Sequence, residues 1–131
     1  MGMTNSDHLR DQALLEIRPQ LGLDTTQSRP LERFQHQTLR PLLKLQHPIL
    51  VRQFHAFLKE HKQHLADQST SERQAYISHV VKTHKRLRAT LFGLISGFMT
   101  GDEYDFYLEN RSECNKRITQ MVIQRLGDAL G

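Results

Sequence analysis

Eight histidines in 131 residues are the first groups to weigh for chemistry. Imidazole is the commonest metal ligand and the side chain that titrates nearest neutrality. On a helix, two ligands reach one ion when they stand three or four residues apart, because those positions share a face. Glu32 and His36, Glu60 and His64, and His61 and His64 have that spacing. The Glu-x-x-His pair repeated on two helices, which marks di-iron bundles, is missing. So is His-Glu-x-x-His, and the single cysteine, Cys114, does not make a structural zinc site. No metal set and no cofactor are therefore expected. His61 and His84 stand apart from the other histidines because they fall on apolar helix stripes. Each is expected to be either a core imidazole with a hydrogen-bond partner or part of a ligand site shared between helices.

A second group concentrates acids and phenols: Asp102, Glu103, Tyr104, Asp105, Tyr107 and Glu109. Arg111 and Asn115 follow it and interrupt an apolar stripe, which invites a buried polar network. Tyr104, Tyr107, Arg111 and Asn115 therefore join His61 and His84 as candidate ligand-binding residues. The plainer reading is a helix N-terminus rich in acids, which the helix dipole favours by itself. The densest basic run is Lys82 to Arg88 (KTHKRLR). It suits phosphate binding, yet no aromatic residues interleave with it for base stacking, and a solvated face is the plainer reading. No Ser-His-Asp order, phosphate loop or dinucleotide glycine motif specifies a reaction. Catalytic residues are thus not identified.

These groups must be carried by helices. Residues 89–101 (ATLFGLISGFMTG) hold no charge, and the run is too short for a bilayer, which needs about 20 residues. It reads as the buried half of one long central helix over about 70–99, opened by a capping box between Ser69 and Glu72. Ile77, Val80, His84, Leu87, Leu91, Leu94 and Phe98 follow at steps of three and four, the seam of a helical bundle. Thr90, Gly93, Gly97 and Gly101 form a row on its flank. Glycine inside a helix costs about 1 kcal/mol relative to alanine, so the row implies close approach by another helix. That helix belongs either to the same chain or to a second copy.

Around this element the spacing predicts a short helix from Ser6 or Asp7 to Ile17, with Leu9, Ala13, Leu14 and Ile17 as a docking stripe. Residues 1–5 are expected to be unordered and 24–29 to form a loop. Pro30 opens the next helix, Pro41 kinks it near Leu39, and Pro48 starts a further helix to about Leu65. Thr100 and Glu103 have capping-box spacing again, and residues 101–130 are helical, as one helix or two. Alternating strand patterns are absent. The fold class is an all-α, single-domain bundle of five or six helices.

The segments FQHQTLRPLLKLQHPIL (34–50) and EYDFYLENRSECNKRITQMVIQRL (103–126) resemble a family of short, all-helical bacterial proteins of unknown function. Some of its members carry the label glyoxalase. The resemblance implies a helical fold from about Leu31 onward and supplies no ligand set, since glyoxalase I metalloenzymes are built from strands.

Composition bounds the rest. The formal charge is +4 with 24% charged residues, which permits anionic partners without requiring them. One cysteine and no signal-peptide core or membrane run point to the cytoplasm. The expected role is protein association as a homodimer. The alternatives are a ligand- or metal-binding bundle using His61 and His84, and nucleic-acid binding through the basic helix face.

Overall fold

The computed structural model describes residues 4–130, and every regular element among them is helical. The α-helices are α1 (Asn5–Ile17), α2 (Pro30–Phe34), α3 (Arg40–Glu60), α4 (Thr70–Thr83), α5 (Lys85–Ser96), α6 (Gly101–Glu109) and α7 (Arg111–Leu130). A π turn, Gln35–Leu39, joins α2 to α3 into one rod. Six helical rods thus make an all-α bundle. α3 packs on α5 and α7, and α4 closes the layer against the same two helices. The core runs through Leu39, Leu42, Leu43, Leu50, Phe54, Ile77, Val81, Leu91, Ile95, Cys114, Ile118 and Val122. These positions repeat at three and four along each helix, which keeps one face of every rod in the core. No helix among the described residues is long and apolar enough to cross a membrane.

Proline acts differently at its two sites. Before Pro41 the helix widens: the Arg40 amide bonds to the Gln35 carbonyl, five residues back. The wider turn relieves the crowding that the pyrrolidine ring imposes on the preceding turn. The irregularity expected near Leu39 is therefore a π turn. Pro48, by contrast, does not begin a helix as expected but lies inside α3. The carbonyl it leaves without an amide partner belongs to Lys44, an exposed residue. α3 ends at Glu60, before the expected Leu65, which lies in a single 3-10 turn.

The long central helix expected over 70–99 is two helices. His84 leaves helical geometry (φ −83°, ψ 102°) and caps both, its amide ending α4 on Val80. Its ring Nδ1 accepts from the Leu87 amide at 3.2 Å and so opens α5. The seam survives because Ile77 and Val80 before the break and Leu87 and Leu91 after it remain buried. Neither glycine nor proline marks the break. Residues 101–130 likewise divide into two helices at Asn110, whose side chain donates to the Phe106 carbonyl.

α1 corrects a third expectation. Thr4 and Asp7 cap it reciprocally, so of the start expected to be unordered only residues 1–3 lie outside the described residues. No residue of α1 is buried, and Leu9, Leu15 and Ile17 are 68%, 49% and 52% exposed. Of the expected stripe, Leu9, Ala13 and Ile17 are exposed and only Leu14 is half-buried, so the helix docks chiefly through charged side chains.

Candidate functional site

The α5–α6 corner is where α1 docks, and helix chemistry explains how. The last carbonyls of a helix have no intrahelical partner and carry partial negative charge, whereas the first amides carry partial positive charge. Arg10 donates to the Met99 and Gly97 carbonyls at 2.9 and 2.8 Å. Gln46, buried on α3, donates to the Leu94 carbonyl at 2.7 Å. Asp11 accepts from the first amide of α6, that of Gly101, at 3.0 Å. Arg18 then grips Glu103 through both Nη atoms, each at 2.7 Å. Glu103 also accepts from the Thr38 hydroxyl and the Thr100 amide. Burial pushes the Glu103 carboxyl up, yet these hydrogen bonds and the Arg18 charge outweigh burial and hold it below its ordinary value. The sequence revealed the capping box at Thr100 and Glu103 but not the arginines that complete the corner, because their partners lie more than 80 residues away.

His61 and His84 meet at the other end of α5. Their rings stand edge to face with centroids 5.2 Å apart, and both contact Phe57, at 4.1 and 4.8 Å. Hydrogen bonding assigns their neutral tautomers. His61 Nδ1 lies 3.0 Å from the Phe57 carbonyl, which only accepts, so this nitrogen carries the proton. His84 Nδ1 accepts from an amide, so its proton sits on Nε2. One ring therefore offers a lone pair at Nε2 and the other a proton. Among the described residues, no three of His, Cys, Asp and Glu converge as a metal cluster.

The phenol group forms a separate cluster. The Tyr104 and Tyr107 rings lie tilted at 60° with centroids 5.9 Å apart. Tyr107 is buried and donates to Asn115 Oδ1 at 2.7 Å. Burial pushes its phenol up, although the Arg111 charge pulls the other way. Arg111 itself is exposed. No hydrogen bond or ring contact among the described residues joins this cluster to the histidine pair. Burial also pushes the Cys114 thiol up, which suits a core residue and not a nucleophile.

The glycines expected to form one row do not share a helix: Gly93 lies in α5, Gly97 caps it and Gly101 opens α6. Gly93 and Gly97 are exposed, and a Cβ added at Gly93 would meet nothing within 4 Å. One added at Gly97 would meet the Gly93 carbonyl oxygen at 3.0 Å. Thr90 and Gly101 are half-buried. The described chain therefore supplies no helix that approaches at Gly93.

The basic run is only partly a solvated face. Arg88 is pinned over the Phe92 ring at 4.5 Å and donates to the Thr119 hydroxyl at 2.8 Å. It lines a shallow depression with Lys82, Lys116 and Gln120. Gln120 also borders a deeper groove of about 590 Å³ between α3 and α7, lined by Arg40, His47 and Arg125. Sequence reasoning did not assemble that groove. Its signal is the pairing of Arg40 with His47 seven residues on and of Met121 with Arg125 four residues on, each pair sharing a helix face. Compared with protein-family models, curated proteins and solved structures, the chain finds no match.

Proposed function

We propose that this protein is a small association module that forms a homodimer through the face carrying α1 and the exposed glycines Gly93 and Gly97 at the end of α5. The observation that carries the reading is the open space over Gly93. A glycine there weakens the helix by about 1 kcal/mol relative to alanine, and no neighbour within the described chain needs the missing side chain. Close approach by a second copy gives these glycines a purpose, as small residues do wherever helix backbones come together. The same end of the molecule exposes Leu9, Leu15 and Ile17, and Arg10 ties α1 to Gly97. Apolar side chains and a bare backbone ridge thus lie on adjoining elements, the combination that interface cores use.

Sedimentation equilibrium on the untagged chain tests the reading. A dimer at micromolar concentration is expected, and Gly93→Leu and Ile17→Glu should each yield monomer with unchanged helicity. A wild-type chain that stays monomeric at high micromolar concentration overturns it, as does a dimer indifferent to both substitutions.

A further inference from the structure

The groove between α3 and α7 collects positive charge without an obvious structural need. Arg40 projects from the first turn of α3, and its Nε donates to His36 Nδ1 at 3.0 Å, which fixes the guanidinium stem. Arg125 enters from α7 on the opposite wall. None of the three ion pairs among the described residues includes either arginine. The nearest counter-charge in the wall is Asp128, whose two oxygens accept from Gln124 Nε2 at 3.1 and 3.2 Å. Burial and the Arg40 charge together pull Arg125 below the ordinary guanidinium value, against the opposing pull of Asp128. On the α3 side, His47 Nδ1 is buried and has no hydrogen-bond partner. Two guanidinium groups lining one groove, Arg125 half-buried and Arg40 exposed, repel each other, and an unpaired buried nitrogen is costly. An anion relieves the repulsion.

We infer that this groove binds a small organic phosphate monoester, with the phosphate held between Arg40 and Arg125 and the organic body lying along Met121. Each guanidinium fork takes two oxygens, and the three terminal oxygens of a phosphate monoester can serve two forks where a lone carboxylate, with two oxygens, serves one. With Arg40 and Arg125 against Asp128, the wall carries one net positive charge at neutral His47, and a dianion reverses it. The volume of about 590 Å³ exceeds what free phosphate fills and falls in the range of small-molecule sites. Met121 adds apolar surface that inorganic phosphate leaves bare. The site is independent of the dimer face, since it uses neither α1 nor α5.

Calorimetric titration of the full chain with phenyl phosphate, inorganic phosphate and benzoate tests the inference. Phenyl phosphate should saturate one site and bind about tenfold tighter than either other probe. Arg125→Gln and Arg40→Gln should each weaken it about tenfold, with circular dichroism unchanged. Arg125→Lys, which keeps the charge and the fold but loses the fork, should weaken it nearly as much. The inference is overturned if phenyl phosphate binds no better than inorganic phosphate. It is equally overturned if Lys116→Gln weakens binding as much as Arg125→Gln. That result would make the surface a general polyanion face, of the kind that a nucleic acid uses.

Discussion

Arg18 and Glu103 meet fork to fork, Nη1 and Nη2 each 2.7 Å from a different carboxylate oxygen, across 85 residues of chain. Arg18 is 8% exposed and Glu103 18%, so the pair is shielded from water and salt more than an ordinary surface bridge is. It anchors the end of a helix that places nothing in the core.

That pairing makes the fold acid-sensitive. Because the Glu103 carboxyl titrates below its ordinary 4.5, its stabilisation is fully present above the unfolded value. It is lost as pH falls through the folded one. Denaturant melts between pH 6 and pH 3 should show stability falling below about 4.5. Glu103→Gln should lower stability by about 1–3 kcal/mol near neutrality and flatten the acid slope. An unchanged slope in the variant would refute the assignment.

His84 should behave as a helix cap before it behaves as anything else. His84→Ala removes the acceptor of the Leu87 amide and should cost about 0.5–2 kcal/mol in a thermal melt. His84→Ser restores a capping oxygen and should recover most of that loss while abolishing the ring contact with His61. Failure of serine to rescue would mean that the imidazole contact, not the cap, holds the corner.

Gln46 is buried and donates to a carbonyl that the end of α5 leaves without an amide, since the Phe98 amide goes to Ile95. Gln46→Leu keeps the volume but strands the Leu94 oxygen. A loss of about 1–3 kcal/mol by urea titration is expected, where an apolar swap in a purely packed position would be near neutral.

Gly93→Ala should raise the stability of isolated chains by about 0.5–1 kcal/mol, because the new Cβ meets nothing and the unfolded chain loses freedom. Measured at dilution and at high concentration, the gain should shrink or reverse where copies associate. A gain independent of concentration would count against the dimer face.

The parts of the architecture visible in sequence are those written in short range. The capping boxes at Ser69 and Thr100, the stripe through Leu87 and Leu91 and the disturbance before Pro41 each depend on residues within two turns, whereas the expected continuation through Leu94 and Phe98 is only half-buried and Ile95 and Met99 take the core positions. The sequence leaves the pairing of His61 with His84 open, since it depends on where two helices end. The break at His84 was illegible because nothing but a side-chain acceptor and one backbone rotation produces it. α1 misled for a related reason. Its apolar spacing suggests burial, but Arg10, Asp11 and Arg18 find stronger partners at a helix corner whose free carbonyls exist only once α5 and α6 have folded. The groove at Arg40 and Arg125 joins rows from α3 and α7, and no local pattern links them.

The π turn at Gln35–Leu39 also sets a helical phase. Each α-helical residue advances about 100° around the axis, and the turn accommodates one residue more than an α-helical turn would. The rod thereby aims Phe34 at Phe106, with ring centroids 4.7 Å apart, while Leu42 and Leu43 still point into the core. Deleting Gln35 would let α2 run into α3 as plain α-helix and rotate Pro30–Phe34 by about 100°. Phe34 would swing off Phe106 while Thr38, downstream of the deletion, kept its bond to Glu103. The extra residue is thus a register offset stored in the backbone, and it lets one rod present two faces that a uniform helix keeps out of step.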